Sequence, residues 1–387
     1  MKKNILAIIL IGGVFFAIFL KFLTVSSAHN NYLIHRQFDY LSAFMTIRCS
    51  ENSPFFLRKI LARSIYQDAL SNQITLQHQG KIFSCISGWQ DKEKNKLLTA
   101  DHDFKYASIT KLFTADLILQ LVNDKKIKLS DKLPQYFDLN AQLKDERLLN
   151  ITILDLLRYS AGFDRNISED KIFNNKAWCD QNINQYLKNT VLDFSPTEKM
   201  VYSNESYCLL SKILEKVHGL DFNNIIKNNY SNYNIKTIYS RDLNEIYYNH
   251  YFSPVNRNYY NSLYLDNLTG SANLVGTAEG LVSAISEMIQ RKPFNILNKQ
   301  YLLECDIEKL RSCYGLGLSP IKYKDGLIYN RDGVMPGVTT YSFVTEDQDI
   351  LVLLTNSNVM GGFENSAEFK KYIVSQLYLF KNKSKYP

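Results

Sequence analysis

Residues 107–111, Ala-Ser-Ile-Thr-Lys, lead directly into residues 112–122, an apolar run that contains neither glycine nor proline. This run carries apolar side chains nearly all round, which predicts a buried helix with Ser108 at or near its N-terminus. Lys111 follows Ser108 by one helical turn, so its amine can reach the face that carries the Ser108 hydroxyl. A desolvated amine can lose its proton and activate a neighbouring hydroxyl. The stretch predicts a Ser–Lys catalytic pair; the alternative is a capping serine beside a surface lysine.

The composition of the chain is that of a globular protein with a sizeable core. Of its 387 residues, 45% are hydrophobic and 21% are charged. Lys and Arg exceed Asp and Glu by seven (45 against 38), but the basic residues form no stripe interleaved with aromatic residues. We therefore expect no nucleic-acid partner. The six histidines have no metal-ligand spacing, so we expect no metal site and no cofactor.

The N-terminus has the pattern of an export signal. Lys2 and Lys3 precede the apolar residues 5–20, and the small residues Ser26 and Ala28 follow. This pattern predicts a secretory signal peptide over residues 1–28, cleaved after Ala28. The alternative is an uncleaved anchor that attaches the protein to the membrane through residues 5–20. Both predict a location in the periplasm or on the extracytoplasmic face of the inner membrane.

An even number of cysteines in an exported chain allows disulfide bonds. Cys305 and Cys313 are close enough in sequence to close a short loop. Two further pairs, Cys49–Cys85 and Cys179–Cys208, would complete the set. Sequence alone leaves this connectivity open.

The order of the predicted elements indicates an α+β fold. Strand-like runs lie at both ends of the chain, and helical runs lie in the middle. We expect a domain over residues 29–387 whose antiparallel sheet is built from both chain ends and flanked by helices. The sheet part covers about residues 29–107 and 290–387, and an inserted all-helical region covers about 108–289.

Several local patterns support this organisation. A hairpin is predicted over residues 73–86, and β-like runs are predicted from 315 to 355, with a hairpin turn at Glu346-Asp347. Thr152 and Asp155 match a capping box that opens a helix through Tyr159. Residues 225–265 lack a clear period and are expected to be irregular, whereas residues 364–380 predict an amphipathic closing helix.

A second polar motif, Tyr202-Ser203-Asn204, stands at the start of a predicted helix. A tyrosine phenol close to an ammonium group can act as a general base or acid. Asn204 can orient Lys111 and donate a hydrogen bond to a substrate carbonyl. The alternative is an ordinary helix start with a packed tyrosine.

A third motif, Arg331-Asp332-Gly333, lies on a predicted strand just before Val334. Gly333 permits a ligand or another backbone to approach closely. Arg331 can direct positive charge toward a substrate carboxylate or toward Tyr202. The alternative is an ordinary hairpin loop.

Together the three motifs resemble those of the serine β-lactamase and penicillin-binding protein superfamily, in particular the branch of class C β-lactamases, D-alanyl-D-alanine carboxypeptidases and esterases. That branch uses S-x-x-K, then Y-x-N, then K-T-G or H-x-G, and related members use the serine of S-x-x-K as nucleophile. The resemblance extends from about residue 70 to 380 and implies a β-lactamase/transpeptidase-like fold.

The resemblance also implies a role for each matching residue. Ser108 would be the acylated nucleophile, and Lys111 would assist its deprotonation. Tyr202 would be the base in acylation and would protonate the leaving group, and Asn204 would orient Lys111 and the substrate. The backbone N–H groups of Ser108 and Val334 would form the oxyanion hole.

The third motif departs from the pattern, because Arg331 occupies the position of the usual lysine or histidine. Arginine keeps the charge and can clamp a substrate carboxylate with its planar fork, but it cannot relay a proton. Arg331, Gly333 and Val334 are thus expected to contact the substrate, and the Val334 side chain is expected to narrow the strand edge.

From these observations we expect an exported serine hydrolase that forms an acyl-enzyme on Ser108. Its substrate would be a D-Ala-type peptide, an ester or an amide, and cell-wall peptide is among the candidates. The alternative from another class is a catalytically idle relative that binds cell-wall peptide or a partner. The sequence leaves the oligomeric state open.

Overall fold

The computed structural model describes residues 28–139, 143–164, 179, 183–248, 268–298, 313–324, 326–335, 337–358 and 363–383. The strands in chain order are β1 (Arg48–Cys49), β2 (Asn72–His78), β3 (Lys81–Ser87), β4 (Phe104–Lys105), β5 (Lys236–Thr237), β6 (Leu274–Gly276), β7 (Ser319–Tyr323), β8 (Gly326–Met335), β9 (Val338–Thr345) and β10 (Ile350–Thr355). The α-helices are α1 (Ala28–Met45), α2 (Phe55–Tyr66), α3 (Thr110–Asn123), α4 (Ile153–Leu157), α5 (Ile183–Asn189), α6 (Asn204–His218), α7 (Phe222–Tyr230), α8 (Ala278–Met288) and α9 (Phe363–Lys383).

The two ends of the chain meet in the middle of one antiparallel sheet. Its seven strands run in the order β1-β3-β2-β10-β9-β8-β7. The N-terminal strand β2 pairs with the C-terminal strand β10, which places Thr75 opposite Val352. The expected fold class is confirmed: an α+β fold with an antiparallel sheet from both chain ends and helices on its faces.

Both faces of the sheet are covered, which explains why β10 is apolar from Ile350 to Leu354. Ile350, Val352 and Leu354 face the larger core, which is shared with the helical region. Leu351 and Leu353 face a second core, formed with α1, α2 and α9. Because side chains alternate between the faces of a strand, a strand buried on both faces needs apolar residues at every position.

The inserted region is mainly helical but not all-helical as expected, because its short strands β5 and β6 join β4 in a three-stranded sheet. It begins with the predicted buried helix. A 3₁₀ turn, Ala107–Ile109, carries Ser108 and passes directly into α3, whose side chains are buried nearly all round. The predicted capping box is present at the start of α4, where the Thr152 side chain accepts from the Asp155 N–H. This helix ends at Leu157, earlier than the expected Tyr159, whose φ of +61° is not helical.

Two local expectations were wrong. Residues 225–265 were expected to be irregular, but α7 occupies their start, capped by the Asp221 side chain. Its buried Phe222, Ile225, Ile226 and Tyr230 do have helical spacing, which the intervening asparagines obscured. The β-like run at 315–318 is not a strand, because β7 begins only at Ser319.

Two of the disulfide pairs that the sequence left open are present. Cys49 on β1 lies opposite Cys85 on β3 and is bonded to it. Cys179 is bonded to Cys208 of α6. Cys313 is also disulfide-bonded, and Cys305 lies outside the described residues.

The predicted signal or anchor over residues 1–28 lies almost wholly outside the described residues. Within the part of the chain that the structure describes, no helix is long and apolar enough to cross a membrane.

Candidate active site

Ser108 lies where the start of α3 meets the sheet. It is half-buried in the turn before α3, and the backbone of β8 passes directly over it. A Cβ atom at Gly333 would lie 2.4 Å from the carbonyl oxygen of Tyr106 and 2.9 Å from the amide nitrogen of Ser108. Only glycine permits so close an approach. The first and third motifs are thereby brought together.

The second motif completes a compact polar cluster around the Ser108 hydroxyl. Ser108 Oγ and Tyr202 Oη are hydrogen-bonded at 2.7 Å. Lys111 Nζ lies 3.4 Å from Ser108 Oγ and donates to Asn204 Oδ1 at 2.7 Å. The side chains of Ser108, Lys111, Tyr202 and Asn204 therefore lie together, although they come from two helix starts far apart in sequence.

The Lys111 amine is buried, with 0% of the residue exposed. Besides Asn204 it donates to the carbonyl oxygen of Ser271 at 2.9 Å. Its Nζ lies 4.9 Å from the ring centroid of Tyr202 and 5.7 Å from that of Tyr207. Neutral oxygens and aromatic faces thus hold the amine beside the Ser108 hydroxyl, in the desolvated surroundings that favour activation of a hydroxyl.

Helix capping aims the second motif at Ser108. Ser203 is the N-cap of α6 and accepts from the Ser206 N–H, so Tyr202 lies in extended chain before the helix and Asn204 is its first residue. The Ser271 carbonyl is held by a tight turn at Gly270, whose φ is +68°. A Cβ atom there would lie 2.5 Å from Ser211 Cβ of α6, so the turn packs directly on the helix that carries Asn204.

Arg331 lies near the cluster, but its placement corrects the expected role. Only 4% of the residue is exposed. Its Nη2 donates to Tyr159 Oη, and its Nε donates to the carbonyl oxygen of Ser108 at 3.3 Å. A guanidinium engaged in this way is not directed at the substrate, because strand β8 presents it to buried acceptors. The substrate-carboxylate clamp inferred from the sequence does not fit this geometry, whereas the alternative direction, toward Tyr202, does.

Aromatic rings surround the Arg331 guanidinium. Its central carbon lies 5.5, 5.6 and 5.7 Å from the ring centroids of Tyr159, Tyr202 and Tyr207, respectively. Burial raises the pKa of Tyr159 well above its usual range and that of Tyr207 to about 12. Burial alone would lower the pKa of Arg331. The electrostatic effect of the neighbouring tyrosines and the hydrogen bond to Tyr159 are stronger, so its pKa lies above the usual value. A permanent cation therefore lies among tyrosines, two of which stay neutral at physiological pH.

The Val334 side chain was expected to narrow the strand edge at the site, but it points away from the site. Side chains alternate along β8, so Val334 is on the same face as Asp332 and on the opposite face from Gly333. Asp332 accepts from Lys370 of α9 at 2.9 Å, which identifies that face as the one covered by the terminal helices. Val334 itself is 43% exposed. The oxyanion role of its backbone N–H stays a prediction.

Three groups near the site were missed by sequence reasoning: Tyr159, Tyr207 and the carbonyl of Ser271. Tyr207 had a usable signal, because it follows Asn204 by three positions on α6 and so shares its face. The sequence contains no such signal for Tyr159 or Ser271. Each lies in a turn whose direction depends on packing with a distant part of the chain.

This arrangement can support nucleophilic catalysis without a cofactor. The Ser108 hydroxyl lies near the Tyr202 phenol and the Lys111 amine. The backbone of β8 at Gly333 passes beside it. The Ser108 proton can pass to the Tyr202–Lys111 pair as its oxygen attacks a carbonyl carbon. The Ser108 N–H, at the positive end of α3, can stabilise the developing oxyanion.

Comparison with known proteins agrees with this fold. The family model described as Beta-lactamase matches residues 63–371. Among curated proteins, the putative fimbrial assembly protein FimD, serogroup D, of Dichelobacter nodosus is 34% identical over 346 residues, covering 84% of this chain and 86% of its own. Protein flp of Staphylococcus aureus strain N315 is 26% identical over 188 residues, covering 47% of this chain and 37% of its own.

Solved structures share the fold. The D-amino acid amidase of Ochrobactrum anthropi SV3, complexed with L-phenylalanine amide, aligns with a TM-score of 0.68 at 20% identity, covering 84% of this chain and 97% of that one. A penicillin binding protein from Bacillus halodurans aligns with a TM-score of 0.64 at 19% identity, covering 82% and 99%. The family match spans most of the chain, and the fold agrees with it. The chain therefore belongs to the beta-lactamase family, a family of serine hydrolases.

Proposed function

We propose that this protein is an exported serine hydrolase that acylates Ser108 with the acyl part of a peptide, ester or amide substrate. The observation that carries the proposal is the 2.7 Å contact between Ser108 Oγ and Tyr202 Oη, with Lys111 Nζ 3.4 Å from the same oxygen. A hydroxyl shared by a phenol and a buried amine is arranged for deprotonation. A structural role alone does not require this arrangement.

The reaction proceeds in two halves. In the first, Ser108 Oγ attacks the substrate carbonyl carbon while its proton passes to the Tyr202–Lys111 pair. The same pair then returns a proton to the departing amine or alcohol, which leaves an ester on Ser108. In the second, water attacks that ester and Ser108 regains its proton. Asn204 orients Lys111 and is near enough to Tyr202, at 3.5 Å, to hold both groups in place.

Export is supported by the disulfides as well as by the N-terminal sequence. The bonds Cys49–Cys85 and Cys179–Cys208 need an oxidising compartment, as the periplasm is. Attachment through residues 5–20 and cleavage after Ala28 are alternatives for the final location. The mass of the mature N-terminus distinguishes them.

A second candidate function comes from the relatives whose names refer to fimbrial assembly. In this view the chain assists assembly of surface fibres, either by hydrolysis or as an idle protein that binds cell-wall peptide or a partner. The Ser108→Ala variant in the source organism discriminates between assistance by hydrolysis and assistance by binding alone. If hydrolysis matters, the variant behaves like a deletion; if binding alone matters, it behaves like the wild type.

Covalent labelling tests the principal proposal. We expect a fluorophosphonate probe to label the wild-type protein and to leave Ser108→Ala unlabelled, because the probe reacts with an activated serine hydroxyl. A fluorescent penicillin tested in parallel reports whether a cell-wall type of substrate is accepted. Gel fluorescence and the mass of the labelled peptide measure both.

The matched control for labelling is Ser375→Ala. This serine lies on α9 and donates to the carbonyl of Tyr372, remote from the site. It should be labelled like the wild type. If neither probe labels the wild type, or if Ser108→Ala is labelled equally, the acyl-enzyme proposal is wrong.

A further inference from the structure

The positive charge of the third motif, on Arg331, is directed at groups of the protein itself. Arg331 has a protein acceptor for each of its three side-chain nitrogens: Tyr159 Oη for Nη2, the Ser108 carbonyl for Nε at 3.3 Å, and the Gly317 carbonyl for Nη1 at 3.5 Å. These acceptors come from the helical region, the nucleophile turn and the segment before β7. The Arg331 side chain therefore cannot turn toward a substrate without losing hydrogen bonds to these acceptors.

The stacking around the guanidinium restrains it further. Tyr159, Tyr202 and Tyr207 place their rings 5.5–5.7 Å from its central carbon. Tyr159 also packs against Tyr202, with centroids 5.0 Å apart, and against Tyr314, with centroids 4.7 Å apart. Arginine is the residue suited to this environment, because its planar cation stacks on aromatic faces while its edges donate hydrogen bonds.

This cluster supports the two groups that react. The ring of Tyr202 lies against the guanidinium, while its Oη points to Ser108 Oγ at 2.7 Å. The Nε of the same guanidinium donates to the carbonyl of Ser108. Arg331 thus connects the base to the backbone of the nucleophile and fixes their relative position, which matters because misplacement by about 1 Å can cost about 10²-fold in rate.

We propose that Arg331 is a positioning residue for Tyr202 and Ser108, and that the enzyme takes ester or amide substrates whose leaving group carries no carboxylate. This inference rests on the proposed acyl-enzyme function and adds the substrate class. A carboxylate entering beside Gly333 would have to be desolvated there, while the cation of the third motif is already bonded to Tyr159, Ser108 and Gly317.

Two matched aryl esters test the substrate class. Both carry the same N-acylated amino acid, and the phenol bears either a meta carboxylate or a meta carboxamide. After correction for their uncatalysed hydrolysis rates, we expect kcat/KM to favour the neutral ester by at least about tenfold, since a carboxylate desolvated beside Gly333 would not have Arg331 as its charged partner. An arginine clamp would instead favour the carboxylate ester.

Two variants test the positioning role. Arg331→Lys keeps the charge but loses the planar fork, so we expect kcat to fall for both esters by about 10–100-fold with KM and the ester preference nearly unchanged. Tyr159→Phe removes one hydroxyl acceptor and should lower kcat for both esters by a smaller factor. If Arg331→Lys does not fold, Tyr159→Phe alone tests the same expectation, a lower kcat with KM nearly unchanged.

The outcomes separate this inference from the proposed function. Ser108-dependent turnover with equal or greater kcat/KM for the carboxylate ester overturns the substrate class. A rise in KM for the carboxylate ester alone in Arg331→Lys, with kcat retained, overturns the positioning role. Absence of both fluorophosphonate labelling and turnover would overturn the acyl-enzyme function itself, and this inference with it.

Discussion

Replacing Lys111 with methionine is expected to lower kcat/KM on an ester substrate by about 10⁴-fold, the upper range for a positioned acid or base. Methionine fills much of the volume of the lysine stem but has no amine. Asn204 Oδ1 and the Ser271 carbonyl, which accept from Lys111 at 2.7 and 2.9 Å, then lose a buried donor. The Ser108 hydroxyl loses the group that assists its deprotonation. Steady-state kinetics of the purified variant measure the effect.

The matched control for Lys111→Met is Lys212→Met. Lys212 is also largely buried, at 9% side-chain exposure, and pairs with Glu215 at 2.7 Å. It lies on α6 about 12 Å along the helix axis from Asn204, at about 1.5 Å per residue. The activity of Lys212→Met should stay close to that of the wild type, since the Lys212 amine pairs with Glu215 and is not among the groups that contact Ser108 Oγ.

The double variant Ser108→Ala/Lys111→Met makes the test of Lys111 stricter. Residues that act as one catalytic unit are strongly non-additive, so the double variant should be no slower than Ser108→Ala alone. Full additivity of the two losses would show that Lys111 does not act through Ser108. A Lys111→Met variant with wild-type activity would contradict the mechanism.

Replacing Gly333 with alanine should lower kcat/KM by about 100-fold or more, the scale reported for loss of one oxyanion donor or for misplacement by 1 Å. The new Cβ would lie 2.4 Å from Tyr106 O and Thr340 Oγ1 and 2.9 Å from Ser108 N. Two of these atoms are backbone and cannot rotate away, so β8 must move from the nucleophile turn. Overpacking of this kind also costs about 1–3 kcal/mol of unfolding free energy.

Gly326→Ala is the control on the same strand. A Cβ atom there would have a single neighbour, Glu346 Oε2 at 3.4 Å, which is an ordinary contact. We expect this variant to keep both its melting temperature and its activity. Equal behaviour of Gly333→Ala and Gly326→Ala in calorimetry and kinetics would show that the close approach of β8 to Ser108 has no catalytic importance.

Much of the fold was predictable because its signals are local. The apolar alternation of the hairpin over β2 and β3, the capping box at Thr152 and Asp155, and the all-apolar helix α3 each depend on a few neighbouring residues. The start of α7 was missed because asparagines interrupt its apolar spacing. The expected strand at 315–318 was wrong, since a short apolar run does not reveal whether a partner strand lies beside it.

The sequence by itself predicted which side chains lie together around the Ser108 hydroxyl. Ser108 and Lys111 share a helical turn, and Tyr202 and Asn204 flank an N-cap, so each pair is arranged by local backbone geometry. Only the tertiary structure decided where the charge of Arg331 goes. An arginine side chain is long and flexible, and its direction depends on the acceptors within reach. Those acceptors, Tyr159 and the carbonyls of Ser108 and Gly317, are distant in sequence and meet only when β8 packs over the start of α3.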